Sequence, residues 1–496
     1  MLLENILTGL VNLLSWEVLL FINVGLVLGI IFGALPGLTA TMGVALFMPI
    51  TFGMDPIVGI TMLLGIYCGG IYGGSITAIL IKTPGTPASA ATVLDGYTLS
   101  QKGQAGKALH MALVASTIAG LFSALILLLV APQLAKVALK FGPPEYFSLA
   151  IFGLTIIASV CSKNMFKGIM MGCLGMYVSM IGLDEIGGMP RFLFGTLNLA
   201  GGVKLIPALI GLFAISEILN KVKVGDFRII EANKFVGGKV TWAELKFSLK
   251  TIFKSSAIGT FIGAVPGTGA AIASFLSYNE AIRSSKTPEK YGTGYLDGVA
   301  ASEAGNNGVT GATLIPLLTL GIPGDTVTAV LLGALMMQGL QPGPALFRDF
   351  APVVYTIMVS LIFVNIFMFI QGKAFVRIFA NVTKIPVNLL LPILMILCVT
   401  GAYAENNTMF DVWMMFIFGA GGYILIRNGF PVTPLLLARI LGPMAEISMR
   451  QSLILSQGSY SIFFTRPICL FFLVFSVASI LFAVLKKEKI NALLEE

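Results

Sequence analysis

Apolar runs long enough to cross a hydrocarbon core, about 20 residues each, recur along the whole chain. No other feature limits its fold so strongly. Residues 109–130, 147–160, 350–370, 387–399 with their flanks, and 463–485 are clear examples. The length criterion gives about 10–12 spans. With 56% hydrophobic and only 11% charged residues, a soluble fold could not cover its own surface; average soluble domains run about 45–50% and 25%. The expected fold is an all-α polytopic membrane protein.

Lys and Arg number 31 against 23 Asp and Glu. In a membrane protein such an excess retains loops on the cytoplasmic side. With no soluble basic domain present, nucleic acid is not an expected partner. Cys68, Cys161, Cys173, Cys398 and Cys469 lie scattered in apolar segments without CxxC spacing, so neither a disulfide framework nor a zinc site is indicated. No Lys or Arg precedes the first apolar stretch, which argues against a cleavable signal peptide of the usual kind.

The chain repeats itself. Gly33-Ala-Leu-Pro36-Gly37-Leu-Thr39-Ala recurs as Gly263-Ala-Val-Pro266-Gly267-Thr268-Gly-Ala, an offset of 230. Thr83-Pro84-Gly85-Thr86-Pro87 is answered by Gly321-Ile-Pro323-Gly324-Asp325-Thr326, an offset of 239. Basic segments set the expected topology. Residues 101–107 and 220–254 are the cytoplasmic candidates, and 283–290 adds a third. Counting crossings between them makes the two repeats inverted, with each first Pro-Gly pair at the tip of a helical hairpin, an arrangement used by many secondary transporters. Five segments result: a first repeat over 1–132 with breaks at 36–37 and 84–85, connecting helices over 133–219, and a basic cytoplasmic loop over 220–254. The second repeat runs over 255–372 with breaks at 266–267 and 323–324, and C-terminal helices fill 373–496. The topology after Arg427 stays open.

Inside hydrocarbon, an interrupted helix leaves backbone groups without partners, so breaks persist only where protein or a water-filled cavity satisfies them. New helix N-termini suit a carboxylate, and opposed carbonyls and hydroxyls suit a sodium ion. A Pro kink that merely shapes packing is the competing reading for any single motif; four in matched register favour a binding site. The substrate-binding candidates are Ser75, Thr77, Pro84, Gly85, Thr86, Pro87, Asn306, Asn307, Pro323, Gly324 and Thr326. Gly37, Thr39, Gly267, Thr268, Glu303 and Asp325 are the coupling-ion candidates. Glu303 stands in an otherwise small and apolar segment, and intramembrane acids usually face a pathway or a partner. Asp325 either ligates an ion or caps the helix that begins there. The hydroxyls of Thr39, Thr268, Ser75, Thr77, Thr86 and Ser89 either bind ligand or serve as caps and packing. Lys82 either pairs with substrate or snorkels. His110, the only histidine, reads as surface or interfacial rather than a proton relay.

The motifs at 33–40 and Tyr72-Gly-Gly-Ser-Ile-Thr-Ala-Ile-Leu-Ile-Lys-Thr-Pro-Gly-Thr-Pro resemble the signatures of the TctA family. So do Leu94-Asp-Gly-Tyr, Gln101-Lys-Gly-Gln-Ala-Gly, Glu303-Ala-Gly-Asn-Asn and Leu317-Leu-Thr-Leu-Gly-Ile-Pro-Gly-Asp. TctA is the large membrane subunit of the tripartite tricarboxylate transporters, and the resemblance covers almost the whole chain. It implies cation-coupled uptake of citrate or other carboxylates across a bacterial inner membrane. The implied partners are a small four-helix membrane subunit of TctB type and a periplasmic solute-binding protein of TctC type. One departure is Gly305, where many relatives carry Ala. The resemblance leaves the substrate, sodium against proton coupling, and a homo-oligomer open.

An ATP-driven pump would need GxxxxGK[ST], which is absent from the sequence. A zinc protease would need more than one His, and the Ile-Pro-Gly-Asp tip does not match the Gly-x-Gly-Asp of an intramembrane aspartyl protease. No catalytic residue and no cofactor is expected beyond a coupling sodium ion. A stand-alone ion-coupled symporter or a channel remains the alternative.

Overall fold

The computed structural model describes residues 2–35, 37–160, 165–224, 238–382 and 387–479. The first helices are α1 (Leu2–Leu13), α2 (Trp16–Ala34), α3 (Ala40–Phe47), α4 (Pro56–Ile81), α5 (Thr92–Gln101) and α6 (Ala105–Ala138). Next come α7 (Pro143–Val160), α8 (Met165–Ser179), the strands β1 (Gly182–Leu183) and β2 (Pro190–Arg191), α9 (Leu205–Leu209) and α10 (Ser216–Val224). The second Pro-Gly region contains α11 (Trp242–Ala264), α12 (Gly269–Ser284), α13 (Leu296–Asn307), α14 (Val309–Ala312), α15 (Leu314–Leu320) and α16 (Thr326–Met337). The remainder is α17 (Pro344–Asp349), α18 (Ala351–Val382), α19 (Val387–Ala404), α20 (Met409–Arg427), α21 (Thr433–Leu455) and α22 (Ile462–Thr465).

The chain is an all-α polytopic membrane protein. Among the described residues, six helices are long and apolar enough to cross a membrane: Trp16–Ala34, Pro56–Ile81, Ala105–Ala138, Leu205–Val222, Ala351–Val382 and Met409–Arg427. Other apolar stretches are cut by Pro and Gly into shorter helices, because Pro removes a backbone donor and clashes with the preceding turn. The segment from α13 to α16 is one such stretch.

The chain divides into two compact units. One comprises Met1–Ala135 with Asn220–Glu405, and the other Lys136–Leu219 with Asn406–Glu496. All four Pro-Gly motifs belong to the first.

Glycine decides how the first unit packs. A Cβ added at Gly25, Gly29 or Gly33 of α2 would lie only 2.2–2.4 Å from the carbonyl oxygens of Met62, Ile66 and Gly70 on α4. Gly65, Gly69 and Gly73 of α4 approach Ile22, Leu26 and Ile30 of α2 in return. Small residues every fourth position let two backbones touch, which is how helices associate where lipid supplies no hydrophobic drive. The same contacts recur in the second half. Gly259 and Gly263 of α11 meet the carbonyls of Gly305 and Val309. Shifting α2 by 230 and α4 by 239 converts Gly29–Ile66 into Gly259–Gly305 and Gly33–Gly70 into Gly263–Val309. The sequence offsets are therefore also the offsets of the packing.

The breaks obey the same rule. Gly37 and Gly267 both take left-handed backbone, with φ +85 and +82. Gly321 does so with φ +71, and its counterpart Lys82 with φ +61. A left-handed residue after the last turn ends a helix and costs glycine nothing; Lys82 holds that conformation with a side chain. Packing between the halves is reciprocal. α3, just after the first break, packs on α16, just after the fourth. α12, just after the third, packs on the short turn Pro87–Ser89, just after the second.

In the second unit, α21 packs on α7 and α8, and α20 on α9. Between α8 and α9, β1 and β2 form a small antiparallel hairpin. There Asp184 pairs with Arg191 and Arg450, and Glu446 takes both arginines as well.

Candidate functional site

The first break is built from the end of α2 and the start of α3. Pro36 lies outside the described residues. Beyond Gly37, the Thr39 hydroxyl accepts from the Met42 amide at 3.2 Å and caps α3. The ammonium of Lys221 packs directly on Gly37, where a Cβ would stand 1.9 Å from Nζ. Nothing in the local sequence pointed to Lys221.

The second break is nested against the first. α4 ends at Ile81, and the Gly85 amide turns back to donate to the Gly74 carbonyl at 3.3 Å. Gly85 has no room for a side chain, because a Cβ would lie 1.9 Å from the Gly33 carbonyl and 2.6 Å from Thr77 Oγ1. Thr86 and Ser89 are buried and share a hydrogen bond of 3.1 Å. Pro84 is half-buried, whereas Pro87 and Lys82 are exposed, so this motif is less enclosed than its apolar setting suggests. From Pro87 to Ser89 the chain makes a single 3-10 turn rather than a new half-helix. Ser75 and Thr77 donate to the Tyr72 and Gly74 carbonyls of their own helix.

In the second half the two breaks also meet. The Gly267 amide donates to the Gly324 carbonyl at 2.8 Å. Thr268 gives its hydroxyl to the Ile262 and Val265 carbonyls at the end of α11. Pro266, Pro323 and Gly324 are buried. Asp325 is the cap of α16: its Oδ1 accepts from the Thr328 amide and hydroxyl at 2.8 and 2.7 Å, and the Thr328 hydroxyl also accepts from the Asp325 amide. Such a reciprocal box satisfies donors that a helix start leaves open.

Two polar clusters join the halves. In one, the Tyr67 phenol donates to Asp325 Oδ2 at 2.8 Å and lies 3.2 Å from the Thr313 hydroxyl. Beside it, Thr326 and Thr41 hydroxyls stand 3.0 Å apart. In the other, the fully buried Glu303 accepts from Thr92, from Ser116 at 3.1 Å and from Asn307 Nδ2 at 3.4 Å. Thr92 also meets Ser302 at 3.0 Å, and Asn307 donates to Ser116 at 2.8 Å. Among the described residues no Lys or Arg pairs with Glu303. Among the described residues, two hydroxyls and an amide surround this carboxylate, and a buried charge without an opposite partner is costly.

Asn306 lies on α13, three residues after Glu303. It is fully buried, and both its amide oxygen and its amide nitrogen lack any partner. Under the 239 offset it is the counterpart of Tyr67, just as Thr86 is the counterpart of Asp325. Tyr67 is satisfied by Asp325; Asn306 is left with a donor and an acceptor to offer. Residue-by-residue reading named Glu303, Asn306, Asn307, Asp325 and Thr326 among these polar groups but not Tyr67, Thr41, Thr92, Ser116 and Thr313. Aligning α4 with α13 through the repeat would have singled out Tyr67. The neighbouring Gly305 has a structural reason: a Cβ there would stand 2.3 Å from Ser277 Oγ and 2.8 Å from the Ala273 carbonyl.

Residues 19–437 match the family described as "Tripartite tricarboxylate transporter TctA family". The chain belongs to the TctA family. Two proteins of Agrobacterium vitis are similar to it. An "Uncharacterized 52.8 kDa protein in TAR-I ttuC' 3'region" is 35% identical over 494 residues, covering 99% of this chain and 98% of that protein. An "Uncharacterized protein in TAR-II ttuC' 3'region" is 36% identical over 227 residues, 46% of this chain and 94% of that protein. No solved structure matches the chain. TctA membership makes this a transporter subunit rather than an enzyme, and the paired breaks and buried polar clusters are features of a TctA chain. His110, on α6, accepts from the Val240 amide at 3.1 Å and is half-buried. Among the described residues, no three His, Cys, Asp or Glu side chains gather as a metal site.

Proposed function

We propose that this TctA-family chain is the solute pathway of a binding-protein-dependent secondary transporter for tricarboxylates or related small carboxylates, working in a bacterial inner membrane. A periplasmic solute-binding protein delivers the substrate, and a small membrane subunit completes the complex. The observation that carries the reading is Asn306, a fully buried amide whose nitrogen and oxygen both lack a partner, three residues after the buried Glu303. Leaving such a group unpaired costs about 1–3 kcal/mol, and a bound carboxylate relieves the donor's share of that cost by accepting from Nδ2.

In this reading Asn306, Asn307, Thr86 and the Pro84–Gly85 and Pro323–Gly324 turns, with Ser75, Thr77, Pro87 and Thr326 around them, hold the substrate. Backbone amides at helix starts add partial positive charge toward the anion. Glu303 and Asp325, with the carbonyls and hydroxyls at Gly37, Thr39, Gly267 and Thr268, serve the coupling sodium ion or proton. The two repeats run in opposite senses through the bilayer, so that rocking one against the other exposes a central site to each side in turn.

Uptake by proteoliposomes containing the chain, its small subunit and a loaded binding protein tests this directly. Sodium and pH gradients are imposed separately. Saturable carboxylate accumulation that needs the binding protein and one of the two gradients is expected. Flux that ignores both gradients, or that proceeds unchanged without the binding protein, would overturn the proposal.

A further inference from the structure

A second polar feature lies away from the crossing, at the basic end of α11 and α12. A cavity of about 490 Å3 opens there between the two helices, the loop 285–295 and the start of α13. Lys250, Lys254, Lys286 and Lys290 stand around it. Lys254 is neutralised by Glu280, which also takes Arg283. Lys290 lies over the Tyr295 ring at 5.9 Å. Lys250 and Lys286 have no carboxylate partner among the described residues, so the cavity keeps uncompensated positive charge.

Its floor carries an acceptor in want of a donor. Asp297 is 5% exposed. Its Oδ2 accepts from Thr251 and Tyr291 at 2.9 and 2.7 Å, while its Oδ1 is buried without a partner. The helices that form the cavity turn bare apolar side chains outward farther along: Phe261 on α11, and Ile272, Phe275 and Leu276 on α12. Lys254 and Phe261 are seven residues apart, or about 10 Å along a helix. Charge thus gives way to a lipid-compatible surface within one headgroup depth.

We propose that this cavity binds the headgroup of an anionic phospholipid. The phosphodiester sits against Lys250 and Lys286, a headgroup hydroxyl donates to Asp297 Oδ1, and the acyl chains run down the exposed faces of α11 and α12. Basic pockets between membrane helices take lipid phosphates for the same electrostatic reason. A soluble phosphate would meet the lysines equally well but would leave the apolar faces below unused.

The test uses the full chain purified in detergent, with binding followed by native mass spectrometry and thermal stability. The probes are phosphatidylglycerol, phosphatidylcholine of the same chain length, and free glycerol phosphate. Phosphatidylglycerol is expected to bind and stabilise, with phosphatidylcholine and glycerol phosphate at least tenfold weaker. Lys250→Ala with Lys286→Ala is expected to weaken the phosphatidylglycerol interaction by about thirtyfold, the loss for two lysines at a lipid surface. Both lysines are exposed, so the double variant should keep its unliganded melting temperature. Equal binding of the two lipids, glycerol phosphate as strong as phosphatidylglycerol, or an unaffected double variant each refutes the assignment.

Discussion

Tyr67 and Asp325, 258 residues apart, are joined by a hydrogen bond of 2.8 Å between phenol and carboxylate. The bond ties the middle of α4 in one repeat to the helix break of the other. Tyr67→Phe keeps the ring and its packing but removes the phenolic donor to Oδ2. The expected result is a loss of about 1.5–3 kcal/mol in stability, the usual worth of a hydrogen bond to a charged group, with reduced uptake. Asp325→Asn keeps an oxygen for the cap and should be milder than Asp325→Ala, which loses the box, worth about 1 kcal/mol. Thermal unfolding of the purified chain ranks the three.

Asn306→Ala and Thr86→Val should each lower carboxylate uptake at least tenfold while the protein still inserts and folds. Asn306 has no partner to lose, so the alanine variant is expected to unfold no more easily than the wild type. Full transport by both variants would move the substrate site elsewhere.

Glu303→Gln keeps a side-chain amide oxygen among Thr92, Ser116 and Asn307 but removes the charge. Its expected signature is altered dependence of uptake on the driving gradient, with capture by the binding protein intact. An unchanged response to both gradients would remove Glu303 from the coupling machinery.

Gly29→Val and Gly259→Val occupy equivalent positions in the two repeats, each with a carbonyl oxygen 2.4 Å from the would-be Cβ. Both should abolish folding, because only a backbone shift makes room, and overpacking costs about 1–3 kcal/mol or more. Gly103, with open space around it, is the control: Gly103→Asn should insert normally. Yield of monodisperse protein in detergent reads out all three.

Asp184 lies outside the helices, and the Arg450 hydrogen bond, aided by the Gly187 and Ile186 amides and by Arg191, holds its carboxyl below the usual value. Because the folded-state value is depressed, its contribution is present above the unfolded value, about 3.9, and is lost as pH falls through the folded one. Stability of the wild type should therefore drop more steeply below about pH 4 than that of Asp184→Asn. Parallel pH profiles of the melting temperature would show the network to be inert.

Much of this was legible beforehand because it is local. Length and apolarity of a run decide whether it spans lipid, and the Pro-Gly pairs with their 230 and 239 offsets mark where helices end. Those offsets also carried the glycine contacts and the left-handed residues, including the pairing of Lys82 with Gly321. Asp325 left two local readings open, and the structure shows it capping α16 and accepting from Tyr67 at once.

Other features were not local, and sequence order could not supply them. Whether Glu303 faces Thr92 and Ser116, or Lys221 reaches Gly37, depends on the rotation of each helix about its axis and on how closely glycine lets the backbones approach. Those are properties of the assembled bundle. The chain by itself determined a membrane protein of two related halves broken at four places; the tertiary structure alone decided which buried polar groups find partners and which, like Asn306, are left without one.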